Sequence, residues 1–400
     1  MTRIWDPYAK ENIVNPYQMY DRMRSEAPVF RAQTGEWIIT KYEDVFNLLG
    51  HKDFHVGNRL EWMKRQLDYL KDDRVDFQSI VDAMNSFLVL LNPPQHTRVR
   101  AMLTAAWNDH EVEGTIKIHI DNLLGKAKGD FDVIDDFAMP LPVMTISSIM
   151  GIEVGEYRKM KSLSERMIQS FNLYTSLKEL VIISKAAKEF IQFFKEYIHY
   201  RRKNLGTDLV SKILIQNADN PEPLTDEELI STCIFLFVAG EETTVNLIGN
   251  GVLALQDNLP AWEDLVNDPE KASMAVNEIL RYDSPVQLVG RIASKDYELG
   301  GHLIPKNSAV TLMIGAANRD AEKFDHPHQF NLHRTFKQHL AFGRGKHFCL
   351  GAWLAKLQGE LALKALVERY PNLRKKHQEL KWNDHLAVRG LSSLMMRVSG

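Results

Sequence analysis

The chain has 400 residues, of which 44% are hydrophobic, 25% charged and 9% aromatic. This composition is typical of a globular protein and excludes disordered, collagen-like and low-complexity chains. The 49 basic and 52 acidic residues leave a net charge of −3, so no global positive field favours nucleic acid or an anionic membrane as a partner.

Cysteine usage and the N-terminal sequence indicate a reducing, aqueous compartment. Only Cys233 and Cys349 occur, too few for a disulfide framework. Arg3 and Lys10 interrupt the stretch that a signal peptide would need to keep apolar. The longest uncharged apolar run, 232–240, is about half of the ~20 residues that a membrane span requires. We therefore expect a soluble, cytoplasmic protein that binds neither membrane nor nucleic acid.

The first two thirds of the chain predict a small sheet followed by many helices. Residues 36–40 read as a short strand, and 43–49 as an amphipathic helix that packs against it. From 109 to 256, apolar residues recur at three- and four-residue spacing, which predicts helices almost throughout.

Strand patterns return after Arg281 and predict a second sheet region. The strands are expected at 287–293, 297–299, 302–304 and 309–314. A loop punctuated by glycine, 342–351, then opens a last long helix that Pro371 stops, and the tail alternates like a hairpin. Because no repeat and no flexible linker separates these blocks, we expect residues 1–400 to form one large, mainly helical domain with minor sheets.

The loop 342–351, Phe-Gly-Arg-Gly-Lys-His-Phe-Cys-Leu-Gly, is the most informative stretch. It places Cys349 at the start of a helix, where the helix dipole and free N–H groups stabilise a thiolate, after glycines that let the backbone wrap closely. No second cysteine or histidine cluster stands nearby to complete a zinc or iron–sulfur site, whereas a haem iron needs only one axial protein ligand. Haem is therefore the simplest partner for Cys349. Cys233, in an apolar helical run, is expected to be a small buried residue.

The pattern Phe-Gly-x-Gly-x-His-x-Cys-x-Gly resembles the haem-ligand signature of the cytochrome P450 monooxygenases. The resemblance, which extends over about residues 15–397, implies that family's fold, mainly α with minor β sheets, with haem b between a long distal helix and a cysteine-bearing proximal loop. It implies that Cys349 is the axial thiolate and metal ligand, that His347 binds a haem propionate, and that Phe342 and Gly351 lie beside the cofactor.

The motif Glu278-Ile279-Leu280-Arg281 places a carboxylate and a guanidinium one helical turn apart, where they can pair. Alone, such a pair is usually an exposed bridge of little energetic worth. The resemblance implies a buried triad with a later arginine, and Arg334 matches that position. The role implied for Glu278, Arg281 and Arg334 is structural: they hold the segment that presents the thiolate.

Two further segments carry residues that the resemblance assigns to the haem propionates. His96 and Arg100 are four residues apart and share one helix face, so both can donate to carboxylates. The residues alone would equally suit a basic, solvated turn, and it is the similarity of 94–100 to the family's segment that implies propionate contacts. Arg291, in a predicted strand, matches a further propionate partner.

Residues 239–244, Ala-Gly-Glu-Glu-Thr-Thr, lie within a predicted helix. Threonine hydroxyls can bond the carbonyl one turn back, so we expect a local kink. Similar segments of the family cross the distal face of the haem, which implies that Ala239 and Gly240 contact the cofactor. Thr243 and Glu242 would then be the catalytic pair that relays protons to oxygen.

The implied reaction is reductive activation of O2 and its insertion into a small lipophilic substrate. Because no flavin or iron–sulfur module fits in the remaining sequence, electrons are expected from a separate ferredoxin or flavodoxin with its NAD(P)H reductase, and the chain is expected to act as a monomer. A basic patch of Arg98, Arg344, Lys346 and Lys356 is the expected docking site for an acidic partner.

The expected substrate contacts are mainly apolar, which indicates a lipophilic or macrocyclic molecule. They are Phe87, Leu88, Phe235, Ala239, Val286, Leu288, Val289 and Ser392. The overall pattern is most similar to soluble bacterial members that tailor polyketides, and a fatty-acid or terpenoid hydroxylase stays an alternative. A peroxide-driven enzyme would be expected to lack the Glu242–Thr243 pair. Asn307 replaces a glycine common in relatives, and asparagine also tolerates a left-handed turn.

Overall fold

The structure, a computed structural model, describes residues 4–7, 9–70, 74–107, 112–125, 129–171, 175–335, 337–383 and 385–398. These residues divide into two compact units. The first unit contains 1–57, 120–141 and 243–400, and the second contains 58–119 and 142–242. The expectation of one domain over 1–400 stays a prediction.

Helices dominate the described ranges. The α-helices there are α1 (Lys10–Val14), α2 (Tyr17–Glu26), α3 (Tyr42–Leu49), α4 (Arg59–Leu70), α5 (Phe77–Met84), α6 (Gln95–Ala106), α7 (Val112–Leu124), α8 (Pro140–Met150), α9 (Tyr157–Met167), α10 (Leu177–Lys203), α11 (Leu209–Ala218), α12 (Asp226–Asp257), α13 (Leu259–Asn267), α14 (Ala272–Tyr282), α15 (Ile314–Ala317) and α16 (Ala352–Arg369). Short 3₁₀ turns lie at Leu88–Leu90, Val154–Glu156, Ile168–Phe171, Pro269–Lys271 and Gly345–His347, and a π-helical turn at Val133–Ala138.

The long helices begin and end where the sequence provides suitable end groups. Ser176 and Glu179 form a reciprocal capping box at the start of α10, which satisfies N–H groups that the helix itself leaves unpaired. Basic residues occupy the last turn of α10 and acidic residues the first turn of α12, as the helix dipole favours.

The strands are short, and all of those described belong to the first unit. They are β1 (Val29–Arg31), β2 (Trp37–Ile39), β3 (Phe54–His55), β4 (Asp130–Asp132), β5 (Val289–Ala293), β6 (Tyr297–Leu299), β7 (His302–Ile304), β8 (Ala309–Leu312), β9 (Arg374–Lys375) and β10 (Met395–Arg397). The mainly α architecture with minor sheets that the sequence predicts is thus confirmed.

One five-stranded sheet has the order β1-β2-β8-β5-β3. The β2–β8 pair is parallel, and the other pairs are antiparallel. Its buried side chains, among them Ile39 and Leu312, pack with Val45 and Leu48 of α3 in one core cluster. Strands that the sequence places in two separate regions therefore join in a single sheet, because pairing between distant segments leaves no local signal.

Two smaller sheets complete the first unit. β6 and β7 form a hairpin, and β10 pairs with both β4 and β9. Within 109–256, where helix is expected almost throughout, the described strand is β4, whose partner β10 comes from the far end of the chain. Asn307 has a φ of 66°, so the predicted left-handed turn is confirmed.

One helical stretch of the described residues, Val133–Met150, is long and apolar enough to cross a membrane, but 67% of it is buried within the protein. Such burial is what the core helix of a folded domain shows.

Candidate functional site

The cysteine loop is a tight turn in the first unit that ends at the start of α16. Gly343 and Gly345 have φ values of 68° and 72°, a conformation that disfavours side chains. The N–H of Cys349 donates to the carbonyl of Phe342 at 2.9 Å, which closes the loop. Cys349 is partly exposed, whereas Cys233 is buried and burial raises the pKa of its thiol to about 12. Only Cys349 therefore has a thiol suited to act as a ligand.

Aromatic rings and one lysine surround Phe342, the first residue of the loop. The ring of Phe342 lies 5.8 Å from that of His339 and 6.3 Å from that of Phe348, and the Nζ atom of Lys356 lies 5.9 Å from its centre. Burial, together with the positive charges of Lys356 and Arg281, lowers the pKa of His339 to about 3. His339 is therefore neutral at physiological pH and adds no positive charge beside Phe342.

Arg291 is a buried cation on β5. Its guanidinium donates to the carbonyl of Gly290 at 2.8 Å, and its buried Nε atom meets no hydrogen-bond acceptor of the described chain. Burial lowers its pKa to about 10, and none of the described carboxylates pairs with it. A buried cation in these surroundings is costly unless an anion binds. This donor fits a carboxylate of the cofactor that the sequence implies.

The structure brings Glu278, Arg281 and Arg334 together. Arg281 donates to both oxygens of Glu278 at 2.7 and 2.8 Å, and the Nε atom of Arg334 lies 3.1 and 3.2 Å from the same oxygens. Arg281 also donates to the carbonyls of Asn318 and Pro327. The Glu278 and Arg281 side chains are only 3% exposed. The cluster therefore fixes the path of the chain ahead of the cysteine loop.

In the second unit, α6 carries the other predicted propionate donors. His96 is buried, and Arg100 follows one helical turn later and is half-buried. Arg98, on another side of α6, pairs with Glu228 and donates to the carbonyl of Pro223 at 3.0 Å. Its charge is therefore already engaged within this unit and is poorly available to a partner protein.

The segment 239–244 lies in the middle of α12, and the helix continues through it without interruption. Ala239 is exposed, and a Cβ added to Gly240 would meet no atom within 4 Å, so this stretch leaves room on one side. Glu242 and Thr243 are half-buried, whereas Thr244 is buried.

Sequence reasoning missed Glu241, the remaining acid of this segment. It is buried, and its side chain forms a hydrogen bond with Ser164 of α9. Burial raises the pKa of Glu241 to about 8, with smaller effects from Glu165, Glu242 and Lys161. Its position between buried apolar neighbours at the spacing of one helix face could have indicated the burial.

Of the predicted substrate contacts, Phe87, Leu88 and Phe235 lie in the second unit. Phe87 and Leu88 are buried, and the rings of Phe87 and Phe235 lie 5.5 Å apart. Phe171 stacks on Phe87 at 6.1 Å. Sequence reasoning missed Phe171, because it stands in a short 3₁₀ turn that carries no motif. The three rings form an apolar aromatic cluster.

The other predicted contacts lie in the first unit. Val286 forms a β-bridge with Val388, and Val289 begins β5 opposite Leu312. Leu288 is buried in a core cluster. Ser392 is exposed, and its hydroxyl donates to the carbonyl of Lys381 at 3.1 Å, so it closes the stem of the C-terminal hairpin.

The chain is similar to known proteins over nearly its whole length. The model of the cytochrome P450 family matches residues 32–392. Polyketide biosynthesis cytochrome P450 PksS of Bacillus subtilis (strain 168) is 33% identical over 411 residues, which cover 99% of this chain and 99% of that protein. The biotin biosynthesis cytochrome P450 of the same organism is 32% identical over 396 residues, which cover 96% and 97%. The crystal structure of P450BioI in complex with hexadec-9Z-enoic acid ligated acyl carrier protein matches with a TM-score of 0.89 and 31% identity, over 98% of this chain and 100% of that one.

Proposed function

The chain belongs to the cytochrome P450 family, and we propose that it hydroxylates or epoxidises a lipophilic small molecule, with Cys349 as the axial ligand of its haem. Members of the family are monooxygenases that bind haem b through a cysteine thiolate, so the chain is an oxidoreductase with this cofactor. When bound, haem b uses two electrons and two protons to activate dioxygen, place one oxygen atom in the substrate and release the other as water.

The observation that carries the assignment of Cys349 is its place in the closed glycine loop. The loop holds a partly exposed thiol at the N-terminal end of α16, an 18-residue helix whose dipole favours the thiolate. Elsewhere in the described ranges, no group of three histidine, cysteine or acidic side chains could hold a metal ion.

The haem carboxylates need cationic or hydrogen-bond donors. Arg291 supports such a role best, because it is a buried guanidinium that pairs with no described carboxylate. We assign His347, His96 and Arg100 to the same task on the family's motifs, and Phe342 and Gly351 to the surroundings of the sulfur.

The proton relay is assigned to Thr243 and Glu242. Glu242 is half-buried and can exchange protons with solvent, and Thr243 follows it directly on α12. A hydroxyl both donates and accepts, so Thr243 can pass a proton inward and hold it beside the reacting oxygen. Ala239 and Gly240 leave the space that oxygen needs.

The substrate class is inferred from apolar side chains and from relatives. The cluster of Phe87, Phe171 and Phe235, with Leu88 beside it, suits a hydrophobic ligand. PksS is named for polyketide biosynthesis, which supports a polyketide substrate. P450BioI was crystallised with a fatty acyl chain on a carrier protein, which supports the fatty-acid alternative.

Spectral titration with a macrolide aglycone and with hexadec-9Z-enoic acid distinguishes these two substrate classes. The compound that resembles the substrate should convert the ferric haem from low spin to high spin, and the other should not.

Electrons are assigned to a separate ferredoxin or flavodoxin that docks near the cysteine loop. Phe348 and Trp353, on either side of the start of α16, are 41% and 38% exposed, and Lys346 is exposed beside them. Apolar side chains of this size on a surface are typical of docking sites.

Replacement of the proposed ligand tests the assignment directly. In Cys349→Ala, we expect loss of the red-shifted Soret band of the reduced carbon monoxide complex, because that band would require the cysteine thiolate as a ligand of the haem. Cys233→Ala is the matched control and should keep it. A Cys349→Ala protein that retains the band would refute the ligand.

The relay is tested by the coupling of NAD(P)H consumption to product. Thr243→Ala should keep haem and substrate binding but divert reducing equivalents to hydrogen peroxide, by about tenfold or more in the ratio of peroxide to product. Thr244→Ala, which removes a neighbouring buried hydroxyl, should leave coupling near that of the wild type. Equal coupling in the Thr243 variant and the wild type contradicts the role.

A further inference from the structure

A buried ionic cluster in the first unit joins three segments that are far apart in the chain. The Nε atom of Arg389 donates to Oδ1 of Asp283 at 2.9 Å, and the hydroxyl of Tyr17 donates to the same oxygen at 2.6 Å. All three residues are less than 9% exposed. Asp283 directly follows α14, Tyr17 begins α2, and Arg389 lies in the C-terminal hairpin.

The rest of the Arg389 guanidinium reaches the N-terminal segment. Its two terminal nitrogens donate to the carbonyls of Ile13 and Val14 at 2.8 and 2.9 Å, and its carbon lies 3.5 Å from the centre of the Trp382 ring. The two acceptors are carbonyls at the end of α1, which the helix leaves unpaired. Arg389 thus makes three hydrogen bonds in different directions and one stacking contact.

The backbone around Arg389 pairs with the segment that contains Val286, one of the expected substrate contacts. The N–H of Arg389 donates to the carbonyl of Pro285 at 2.7 Å, and the N–H of Gln287 donates to the carbonyl of Ala387 at 2.8 Å. Between these bonds lies the Val286–Val388 bridge. The segments 285–287 and 387–389 therefore share one short antiparallel ladder that includes the backbone of Arg389.

Stability alone is a weak reason for such a cluster, because a buried ion pair contributes little compared with apolar side chains of the same volume. Its geometry is specific, however. The planar guanidinium holds its N–H groups in fixed directions, so three different nitrogens reach the Asp283 carboxylate and the two carbonyls. The single nitrogen of lysine, on a flexible stem, does not reproduce this spacing. The cluster is therefore better suited to fixing positions than to adding stability.

We propose that Arg389, oriented by Asp283, is a positioning residue for substrate binding: it fixes the paired segments 285–287 and 387–389, from which the chain continues into Leu288 and Val289, against the N-terminal segment. This inference rests on the proposed function, because Val286, Leu288 and Val289 are proposed substrate contacts. If the pairing of these segments becomes less rigid, a large ligand that contacts Val286, Leu288 and Val289 should bind more weakly. A small ligand that does not reach them should bind as before.

The test compares Arg389→Lys with Arg397→Lys in the full-length protein. Arg397 is the matched control, since it is an arginine of the same C-terminal segment whose ion pair with Asp130 is exposed. Clotrimazole and imidazole serve as probes, because both bind haem iron through a nitrogen and shift the Soret band, but only clotrimazole is large enough to contact the proposed substrate-binding side chains as well. In Arg389→Lys we expect the Kd of clotrimazole to rise about tenfold, with that of imidazole changed by less than about twofold.

Asp283→Asn provides a second, milder variant that keeps a hydrogen-bond acceptor. It should weaken clotrimazole binding in the same sense, and the double variant with Arg389→Lys should be no weaker than the worse single variant, because Asp283 acts through Arg389. Equal weakening of both azoles, additive effects, or no change in clotrimazole binding would each overturn the proposal.

Hydrogen–deuterium exchange gives a readout that does not depend on haem. Peptides over 285–289 and 387–391 should exchange faster in Arg389→Lys than in the wild type and in Arg397→Lys. Unchanged exchange overturns the proposal even in a preparation without cofactor. Absence of a carbon monoxide band in the wild type, by contrast, contradicts the proposed function, and the exchange result then decides the positioning role by itself.

Discussion

Glu241 shows how a single buried carboxyl can make the stability of α12 depend on pH. Its hydrogen bond with Ser164 joins α12 to α9, and the charged groups that face it are Lys161 and Glu165 on α9 and Glu242 on its own helix. Burial raises the pKa of Glu241 to about 8, well above the ordinary value of 4.5. The folded protein therefore holds a proton that the unfolded chain has already released between these two pH values.

The sign of the pH effect follows from this difference. The contribution of the protonated group is fully present below about pH 4.5 and is lost as the pH rises through about 8, to an extent on the order of 5 kcal/mol. We expect the wild type to lose more unfolding free energy between pH 6 and pH 9 than Glu241→Gln, which cannot ionise. Urea unfolding of both proteins across this range measures the difference.

Glu165→Gln is the matched control for that experiment, since it removes a half-exposed acid of α9 that pairs with Lys161. Because burial is the main cause of the raised pKa of Glu241 and the charge of Glu165 a smaller one, this variant should keep most of the pH dependence of the wild type. Parallel curves for the wild type and Glu241→Gln would show that the buried carboxyl does not hold its proton in the folded state.

At the scale of elements, the C-terminal hairpin packs on α12 with no room for an extra atom. A Cβ added to Gly390 would lie 1.7 Å from Oδ1 of Asn246, and the Nδ2 atom of Asn250 donates to the carbonyl of Arg389 at 3.0 Å. Asn246 is 1% exposed, so it has little freedom to move away. A glycine at 390 is therefore required by the close approach of two elements.

Gly390→Ala should accordingly lower the free energy of unfolding by about 1 to 3 kcal/mol, the usual cost of forcing an atom into a packed core. Gly114→Ala is the control with the opposite sign: Gly114 is exposed on α7 with no atom near its Cβ position, and alanine there should add about 0.5 to 1 kcal/mol. Denaturant unfolding of both variants checks the pair. Unchanged stability of Gly390→Ala would contradict the packing argument.

Local sequence patterns predicted the helices, strands and turns better than they predicted which strands pair with each other. The helix from 352, the strands around 300 and the left-handed turn at Asn307 follow from spacing, glycine and end groups that lie within a few residues. The merging of the strands into one sheet, and β4 in a stretch expected to be helical, depend on pairing with segments more than 200 residues away. No local pattern contains that information.

The same division applies to the candidate site. The cysteine loop and the segment 239–244 are continuous motifs, so the sequence alone identified them. The Asp283–Arg389 cluster arises only when distant segments meet, and it was missed for that reason. The burial of Glu241 had a local signal in the apolar spacing of α12, but its partner Ser164 on α9 had none.

At the scale of the whole molecule, the net charge of −3 provides no long-range attraction for an acidic redox protein. The expected basic patch is also weaker than its sequence indicates. Arg98 pairs with Glu228, and the Arg344 guanidinium lies 3.6 Å from the centre of the Phe46 ring and donates to the Phe46 carbonyl at 3.0 Å. Docking should therefore depend mainly on the exposed apolar side chains near the cysteine loop.

We therefore expect Phe348→Ser and Trp353→Ser each to slow reduction by a ferredoxin by about tenfold at subsaturating partner, because exposed aromatic side chains contribute most of the energy of such interfaces. Stopped-flow formation of the carbon monoxide complex measures the rate. Leu303→Ser is the control, since Leu303 is an apolar residue on β7 that is 54% exposed, more than either aromatic residue, and its loss should have no effect. Because few free charges take part, raising the ionic strength from 50 to 300 mM should change the rate by less than about threefold. A steep salt dependence with wild-type rates in both serine variants would instead show that charges, and not the apolar pair, bind the partner.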